Sequence, residues 1–212
     1  MEKQAEKAGR AVPMSPQELV EKIEEMLPEF ESQGERMVIA MDGMCGSGKT
    51  TLAARLAQRF GGQVVHMDDF YLPVELRTQE RRSEPGGNVH YERFLVEAMP
   101  YLKGQEAFCY GKFSDEILDI AEEITIEPGS LLIVEGAYSM RPELRNAYDL
   151  TVCVLSPTEL QRQRLIRREG EEGYLEYRDL WIPLETAYLD HYDIEHVCDV
   201  VLNAVDLQSE TE

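Results

Sequence analysis

The sequence predicts an α/β protein in which helices flank a five-stranded parallel sheet. Three observations support this fold class. From residue 37 onward, short apolar runs alternate with helical stretches, which is the pattern of consecutive β-α-β units. The first apolar run leads directly into a glycine-rich turn and a helix-forming stretch. The chain has 212 residues, 43% of them hydrophobic, which is enough for one domain with a sizeable core.

The chain is expected to begin with a flexible tail over residues 1–14, where charged residues mix with Ala, Gly and Pro without periodicity. A helix is predicted to start at Ser15, because Ser15-Pro-Gln-Glu18 has the form of a capping box with proline at the first helical position. We expect this helix to pack on the domain. The apolar residues that recur at helical spacing along one face are Leu19, Val20, Ile23, Met26 and Leu27.

Five short apolar runs are predicted to form the strands of the sheet. They span residues 37–41, 64–67, 131–134, 150–155 and 197–202. The long stretch 71–130 separates the second run from the third, and it is predicted to be an insertion that binds substrate or covers the site. Within it, the pattern indicates a helix near 91–102 and two weak strands near 107–110 and 124–126.

Composition limits the classes of partner. The chain carries 21 basic and 41 acidic side chains, a formal net charge of −20, which would repel nucleic acid and anionic membranes. Neither is predicted as a partner, and the oligomeric state stays open. Without a signal-like segment or an apolar run of about 20 residues, a cytoplasmic protein is expected. Four cysteines without the spacing of a zinc site are expected to be reduced thiols: Cys45, Cys109, Cys153 and Cys198.

The glycine-rich turn after the first strand has the form G-x-x-x-x-G-K-T and is predicted to bind ATP. Its glycines allow backbone N–H groups to turn toward phosphate, and the following helix adds its positive end. Lys49 is expected to reach the β- and γ-phosphates and to act in catalysis, and Thr50 to bind Mg²⁺. The predicted ATP-binding residues are Gly43, Met44, Cys45, Gly46, Ser47, Gly48, Lys49, Thr50 and Thr51.

Acidic residues follow the second and third strands, at the carboxyl edge of the sheet where ligands of such proteins bind. A kinase that acts on an alcohol needs a carboxylate to orient the hydroxyl and accept its proton. Asp68 is preferred over Asp69 because it comes first after its strand. Glu135 can hold a magnesium-bound water or a substrate hydroxyl, and Asp68 is a further candidate metal ligand. The alternative is that these acids only restore polarity where strands end.

Four arginines within seven residues follow the fourth strand. The segment 157–173 is predicted to be a lid whose helix begins in a capping box at Ser156. Arg164, Arg167 and Arg168 stand at i, i+3 and i+4, so they share a face and are predicted catalytic residues that stabilise charge on a transferring phosphoryl group. The alternative is that they pair with neighbouring glutamates.

Four motifs together resemble the uridine kinase family and its relatives, the nicotinamide riboside and pantothenate kinases. They are G-M-C-G-S-G-K-T-T, M-D-D-F-Y, L-L-I-V-E-G-A-Y and R-L-I-R-R, and the likeness spans roughly residues 37–203. The resemblance implies a three-layer P-loop kinase domain over residues 15–212, with Asp68 at the position of the catalytic base. It also implies that Tyr71, His90 and Tyr110 contact substrate, although His90 stands where that family has an acid for ribose hydroxyls.

The sequence therefore predicts transfer of the γ-phosphate of MgATP to a hydroxyl of a small molecule, a nucleoside or related metabolite. Two alternatives stay open: a P-loop NTPase that hydrolyses ATP or GTP in a conformational cycle, and a nucleotide-binding regulator without catalysis. The acceptor and the preference between ATP and GTP also stay open.

Overall fold

A computed structural model describes residues 11–208 of the chain. Within this range the strands are β1 (Val12–Met14), β2 (Met37–Gly43), β3 (Gln63–His66), β4 (Phe108–Ser114), β5 (Asp119–Ile126), β6 (Leu131–Glu135), β7 (Leu150–Leu155) and β8 (Val200–Asn203). The α-helices are α1 (Pro16–Gln33), α2 (Lys49–Phe60), α3 (Gln79–Ser83), α4 (Tyr91–Glu97), α5 (Thr158–Glu176), α6 (Ile182–His191) and α7 (Ile194–Val197). None of the described helices is long and apolar enough to cross a membrane.

Six parallel strands form the main sheet in the order β1-β8-β7-β2-β6-β3. All five predicted strands are present, which confirms the α/β class, although the last begins at Val200 and not at residue 197, because Ile194–Val197 is helical. The sixth strand is a correction, because residues 12–14 of the predicted tail pair with β8, Val12 opposite Val200. The rest of that predicted tail, residues 1–10, lies outside the described residues. A three-residue strand that contains a proline is too short to show a periodic pattern.

Helices cover both faces of the sheet, and the alternation along β2 shows why. Met37, Ile39 and Met41 point into a core shared with α1 and α2, whereas Val38 and Ala40 point into the opposite core. Both faces of β2 are buried, so the strand has no polar side. The result is a three-layer arrangement. The predicted capping box at the start of α1 is confirmed, since the side chains of Ser15 and Glu18 each accept a hydrogen bond from the other's backbone N–H.

The 71–130 insertion contains α3, α4 and an antiparallel hairpin of β4 and β5. Both weak strand predictions lie in this hairpin, where Phe108 pairs with Ile126 and Tyr110 with Ile124. The hairpin packs on the segment after β3 through Tyr110, whose ring stacks on Phe70 with centroids 5.0 Å apart. This contact positions the hairpin beside the carboxyl edge of the main sheet.

The predicted lid, residues 157–173, corresponds to most of α5. The helix begins after Pro157 without a side-chain cap, so the predicted capping box at Ser156 is wrong. Gly170 interrupts the helix with φ 78° and ψ 171°, a positive-φ conformation that glycine adopts without a steric penalty. Beyond α5 the chain passes through a π-helical turn, Tyr177–Trp181, directly into α6.

Candidate active site

The glycine-rich turn between β2 and α2 has the geometry that phosphate binding requires. Gly43 has φ 138°, and a Cβ atom there would lie 2.3 Å from the carbonyl oxygen of Val154, so no other residue fits. Lys49 begins the twelve-residue helix α2, and its buried ammonium donates to the carbonyl of Met44 over 3.2 Å. The turn therefore combines a close backbone approach, a helix N-terminus and a buried cation, which together fit the phosphates of a nucleotide.

One cavity of about 1290 Å³ joins this turn to the carboxyl edge of the sheet, to α5 and to the hairpin. The predicted site residues that line it are Cys45, Gly46, Gly48, Lys49, Thr50, Thr51, Asp68, Tyr71, Glu135, Arg164, Arg167 and Arg168. Gly43, Met44 and Ser47 belong to the same turn but do not line the cavity. The structure thus brings most of the predicted site together, although the lining residues are up to 123 positions apart in the chain, from Cys45 to Arg168.

Glu135 and Thr50 lie side by side at the end of β6. The Thr50 hydroxyl donates to Oε2 of the buried Glu135 over 3.1 Å, and Oε1 lies 2.5 Å from Nδ1 of His66. The hydrogen bond to Glu135 raises the pKa of His66, against the opposing effect of burial. His66 was not among the predicted site residues. The signal for it is strand register, because His66 pairs with Glu135 across β3 and β6.

The oxygens of Thr50 and Glu135 suit Mg²⁺, which binds through few protein groups and keeps waters and phosphate oxygens as its remaining ligands. Within residues 11–208 no group of three or more His, Cys, Asp or Glu side chains could hold a metal alone. A magnesium ion here would therefore depend on nucleotide phosphates, as the hydroxyl and carboxylate beside the phosphate-binding turn suggest.

Asp68 and Asp69 occupy different environments in the turn after β3. Asp68 is exposed to the cavity, and the surrounding protein raises its pKa by removing bulk water, an effect that Lys49 partly offsets. Asp69 also borders the cavity but is buried, and its Oδ2 accepts a hydrogen bond of 2.9 Å from the hydroxyl of Tyr110. Asp68 is thus the carboxylate free to meet a substrate, while Asp69 holds the hairpin.

Two predicted substrate contacts, His90 and Tyr110, do not line the cavity. Tyr110 is 2% exposed and is held between Phe70 and Asp69. His90 caps α4, where its Nδ1 accepts a hydrogen bond of 3.1 Å from the backbone N–H of Arg93. Both residues therefore have structural roles in place of the substrate contacts that the resemblance implied.

The three lid arginines have three different environments. Arg164 donates to the carbonyls of Ser47 and Ala204 over 2.8 and 3.1 Å, so its guanidinium stabilises the phosphate-binding turn through backbone contacts. Arg168 pairs with Glu169 over 2.6 Å, as the structural alternative proposed. Arg167 is exposed in the cavity and has no ion pair or hydrogen bond from its side chain to the described residues. Of the three, Arg167 is the one available to a phosphate.

The backbone of Cys45, in the phosphate-binding turn, is held by side chains of α5 and α6. The backbone N–H of Cys45 donates to Oε2 of Glu185 on α6 over 2.7 Å, and its carbonyl accepts from the side chain of Gln161 on α5 over 2.9 Å. Both side chains are buried. Burial raises the pKa of Glu185, while the charge of Lys49 lowers it. Sequence reasoning missed both contacts, because they join positions more than a hundred residues apart.

A buried aspartate fixes the start of the same turn. The Asp42 carboxylate accepts hydrogen bonds from the N–H groups of Gly43, Tyr138 and Met140 at 2.7, 3.2 and 2.8 Å and from the hydroxyl of Tyr188 at 2.7 Å. These bonds tie the turn to the loop after β6 and to α6. Asp42 is therefore a structural anchor for the site.

No family model matches the chain. Among characterised relatives, a tRNA dimethylallyltransferase of Koribacter versatilis is 31% identical over 140 residues, which cover 65% of this chain but only 43% of that protein. The chain thus spans less than half the length of that relative. A uridine kinase of Latilactobacillus sakei is 26% identical over 152 residues, 68% of this chain and 72% of the kinase.

Solved structures extend the likeness to nearly the whole chain. A candidate fructose transport system kinase from Silicibacter sp. TM1040 superposes with a TM-score of 0.70 at 25% identity, covering 89% of this chain and 98% of the other. A possible uridine kinase from Bacillus stearothermophilus gives a TM-score of 0.62 over 87% and 99% at 22% identity, which shows a shared fold. The chain is uridine kinase-like in sequence and has the α/β fold of the P-loop kinases.

Proposed function

We propose that the protein is a kinase that transfers the γ-phosphate of ATP to a hydroxyl group of a small molecule, a nucleoside or a related metabolite. The observation that carries the proposal is the position of Asp68, an exposed carboxylate in the same cavity as Lys49 and the phosphate-binding turn. A catalytic base for an alcohol must stand where the acceptor meets the phosphate. The likeness to uridine kinases supports the same class of acceptor chemistry.

Different residues would bind the phosphates of the nucleotide and its magnesium ion. The turn from Gly43 to Thr50 and the ammonium of Lys49 would bind the phosphates, and Arg167 would approach them from α5. Thr50 and Glu135 would hold Mg²⁺, which when bound neutralises charge on the β- and γ-phosphate oxygens. Glu135 is kept in place by His66, so its carboxylate does not depend on the ligand for its orientation.

Asp68 would act on the acceptor. Its carboxylate accepts a hydrogen bond from the acceptor hydroxyl and takes the proton as the oxygen bonds to the γ-phosphorus. The bond from that phosphorus to the β–γ bridging oxygen breaks, and its electron pair leaves with ADP. The raised pKa of Asp68 brings it closer to neutral pH and makes it a better proton acceptor than an ordinary surface aspartate.

The experiment is a measurement of ADP release with a panel of nucleosides, vitamin alcohols and sugars, with products identified by mass spectrometry. We expect ADP release that depends on one class of acceptor and yields its phosphate ester. Lys49→Ala serves as the inactive control. Steady release of inorganic phosphate that no acceptor changes would point to the hydrolytic alternative, and ATP binding without turnover would point to a regulator.

A further inference from the structure

The arginines of this acidic chain are distributed unevenly between the cavity and the rest of the protein. Outside the cavity, every arginine within residues 11–208 pairs with a carboxylate or donates to backbone carbonyls: Arg36, Arg59, Arg81, Arg93, Arg141, Arg145, Arg162 and Arg178. Six arginines line the cavity. Arg164 and Arg168 have the carbonyl and carboxylate partners described above, and Arg77 donates to one carbonyl, but the side chains of Arg55, Arg82 and Arg167 have no such partner among the described residues. With 41 acidic residues available, this difference marks the cavity as a site for anions.

The nucleotide accounts for only part of this charge. Arg55 lies on α2 and Arg167 on α5, the two helices that flank the phosphate-binding turn. Arg77 and Arg82 lie in the 71–130 insertion, between the Asp68 turn and α4, on the part of the chain assigned to the acceptor. Binding of nucleotide phosphates at the turn therefore does not account for the guanidinium groups of Arg77 and Arg82.

Arg77 is held in place before any ligand binds. Its Nε donates to the carbonyl of Leu72 over 2.8 Å, and its guanidinium lies 5.5 Å from the ring centroid of Phe113. These contacts leave its two terminal nitrogens without a partner among the described residues. The ring of Phe113 lies 6.4 Å from that of Tyr71, and the Tyr71 hydroxyl hydrogen-bonds to Asp68. The guanidinium of Arg77 is therefore held near the proposed base Asp68, with only the rings of Phe113 and Tyr71 between them in this series of contacts.

Two other charged side chains on the hairpin face the same part of the cavity. Lys112 adds a positive charge, although its ammonium lies 2.9 Å from Glu122 on the neighbouring strand. Asp115 adds a negative charge near the hairpin turn. Lys112 is thus paired and Asp115 is acidic, so Arg77 and Arg82 are the cations of this wall that have no carboxylate partner among the described residues.

We propose that the acceptor carries an anionic group, a carboxylate or a phosphate, in addition to its reactive hydroxyl, and that Arg77 and Arg82 bind it. This inference rests on the proposed kinase function. A guanidinium without a carboxylate partner forms charge-assisted, geometrically specific bonds with such a group, and these are stronger than its hydrogen bonds to a neutral acceptor. Acceptors are therefore selected by charge as well as by shape.

Binding can be followed by the fluorescence of Trp181, the single tryptophan of the chain. Trp181 lines the cavity, and its ring centroid lies 5.6 Å from that of Tyr71. We would titrate the protein, with MgADP bound, with matched pairs: D-glycerate and glycerol, pantothenate and pantothenol, ribose 5-phosphate and ribose. The anionic member of at least one pair is expected to bind at least about tenfold more tightly. The carboxylate and phosphate pairs distinguish the two sources of charge.

The same pairs are then compared as kinase acceptors in wild type, Arg77→Gln and Arg82→Gln. Each variant should raise KM for the anionic member by about 10-fold to 100-fold and leave the Kd of ATP and the neutral member unchanged. Arg59→Gln, which removes an ion pair outside the cavity, is the matched control. The inference fails if neutral members are preferred, or if the variants weaken both members equally. Phosphorylation of neutral members alone would leave the kinase function intact, whereas no phosphorylated product from any acceptor would overturn both proposals.

Discussion

Replacing Glu185 with glutamine is expected to strengthen ATP binding. The carboxylate accepts from a backbone N–H of the phosphate-binding turn at 2.7 Å, so a negative charge lies where phosphates are to bind. Two unit charges about 5 Å apart interact by roughly 3 kcal/mol at an effective dielectric constant of about 20. Part of this is lost because the variant also gives up the attraction between Glu185 and Lys49. We therefore expect a net gain of about tenfold in affinity, or roughly 1.4 kcal/mol.

The assay is calorimetric titration of MgATP at several pH values. Glutamine keeps an oxygen that can accept from Cys45, so the turn should retain its shape. Because burial raises the pKa of Glu185, lowering the pH should neutralise it in the wild type and tighten ATP binding. The pH dependence of ATP affinity should therefore be weaker in Glu185→Gln, where only other groups such as His66 and Asp68 titrate. Glu24→Gln, at a surface ion pair, is the control. Weaker ATP binding in Glu185→Gln, or the same pH slope in both proteins, would refute the reasoning and make Glu185 a structural support.

Three further predictions test the parts of the site separately. Lys49→Ala should abolish turnover and weaken ATP binding, because the phosphates lose their cationic partner; steady-state kinetics and titration check this. Arg167→Ala should lower kcat while leaving the melting temperature within about a degree, whereas Arg164→Ala should lower both, since it removes bonds to the turn. Asp42→Ala should cost about 3 kcal/mol or more of unfolding free energy in urea titrations, because it leaves buried donors unpaired; a loss below about 1 kcal/mol would contradict its role as an anchor.

The parts of the site that sequence could predict are those set by local pattern. The glycine spacing, the apolar strand before it and the helix after it identify the phosphate-binding turn. Asp68 and Glu135 were predicted because each follows a buried strand, and parallel strands end at one edge of the sheet. Their arrival in one cavity with Lys49 follows from topology alone.

The parts that sequence could not predict depend on tertiary contacts. Glu185 and Gln161 look like ordinary helix residues until α5 and α6 pack against the turn. Arg164 and Arg167 are equivalent in the sequence pattern, but only one of them reaches backbone carbonyls. Tyr110 was placed by resemblance, and its burial under Asp69 depends on how the hairpin docks.

The central claim, that Asp68 is the base for transfer to a hydroxyl, is tested most directly by single-turnover reactions with γ-labelled ATP and the best acceptor. The account predicts that wild-type protein moves the label to the acceptor. Asp68→Asn should do so roughly 10²-fold more slowly with unchanged ATP affinity, because the amide keeps the shape but cannot take the proton. Asp69→Asn, which keeps an oxygen to accept from Tyr110, should be mild by comparison. Label that appears in inorganic phosphate irrespective of acceptor, or transfer at the wild-type rate by Asp68→Asn, would contradict the account.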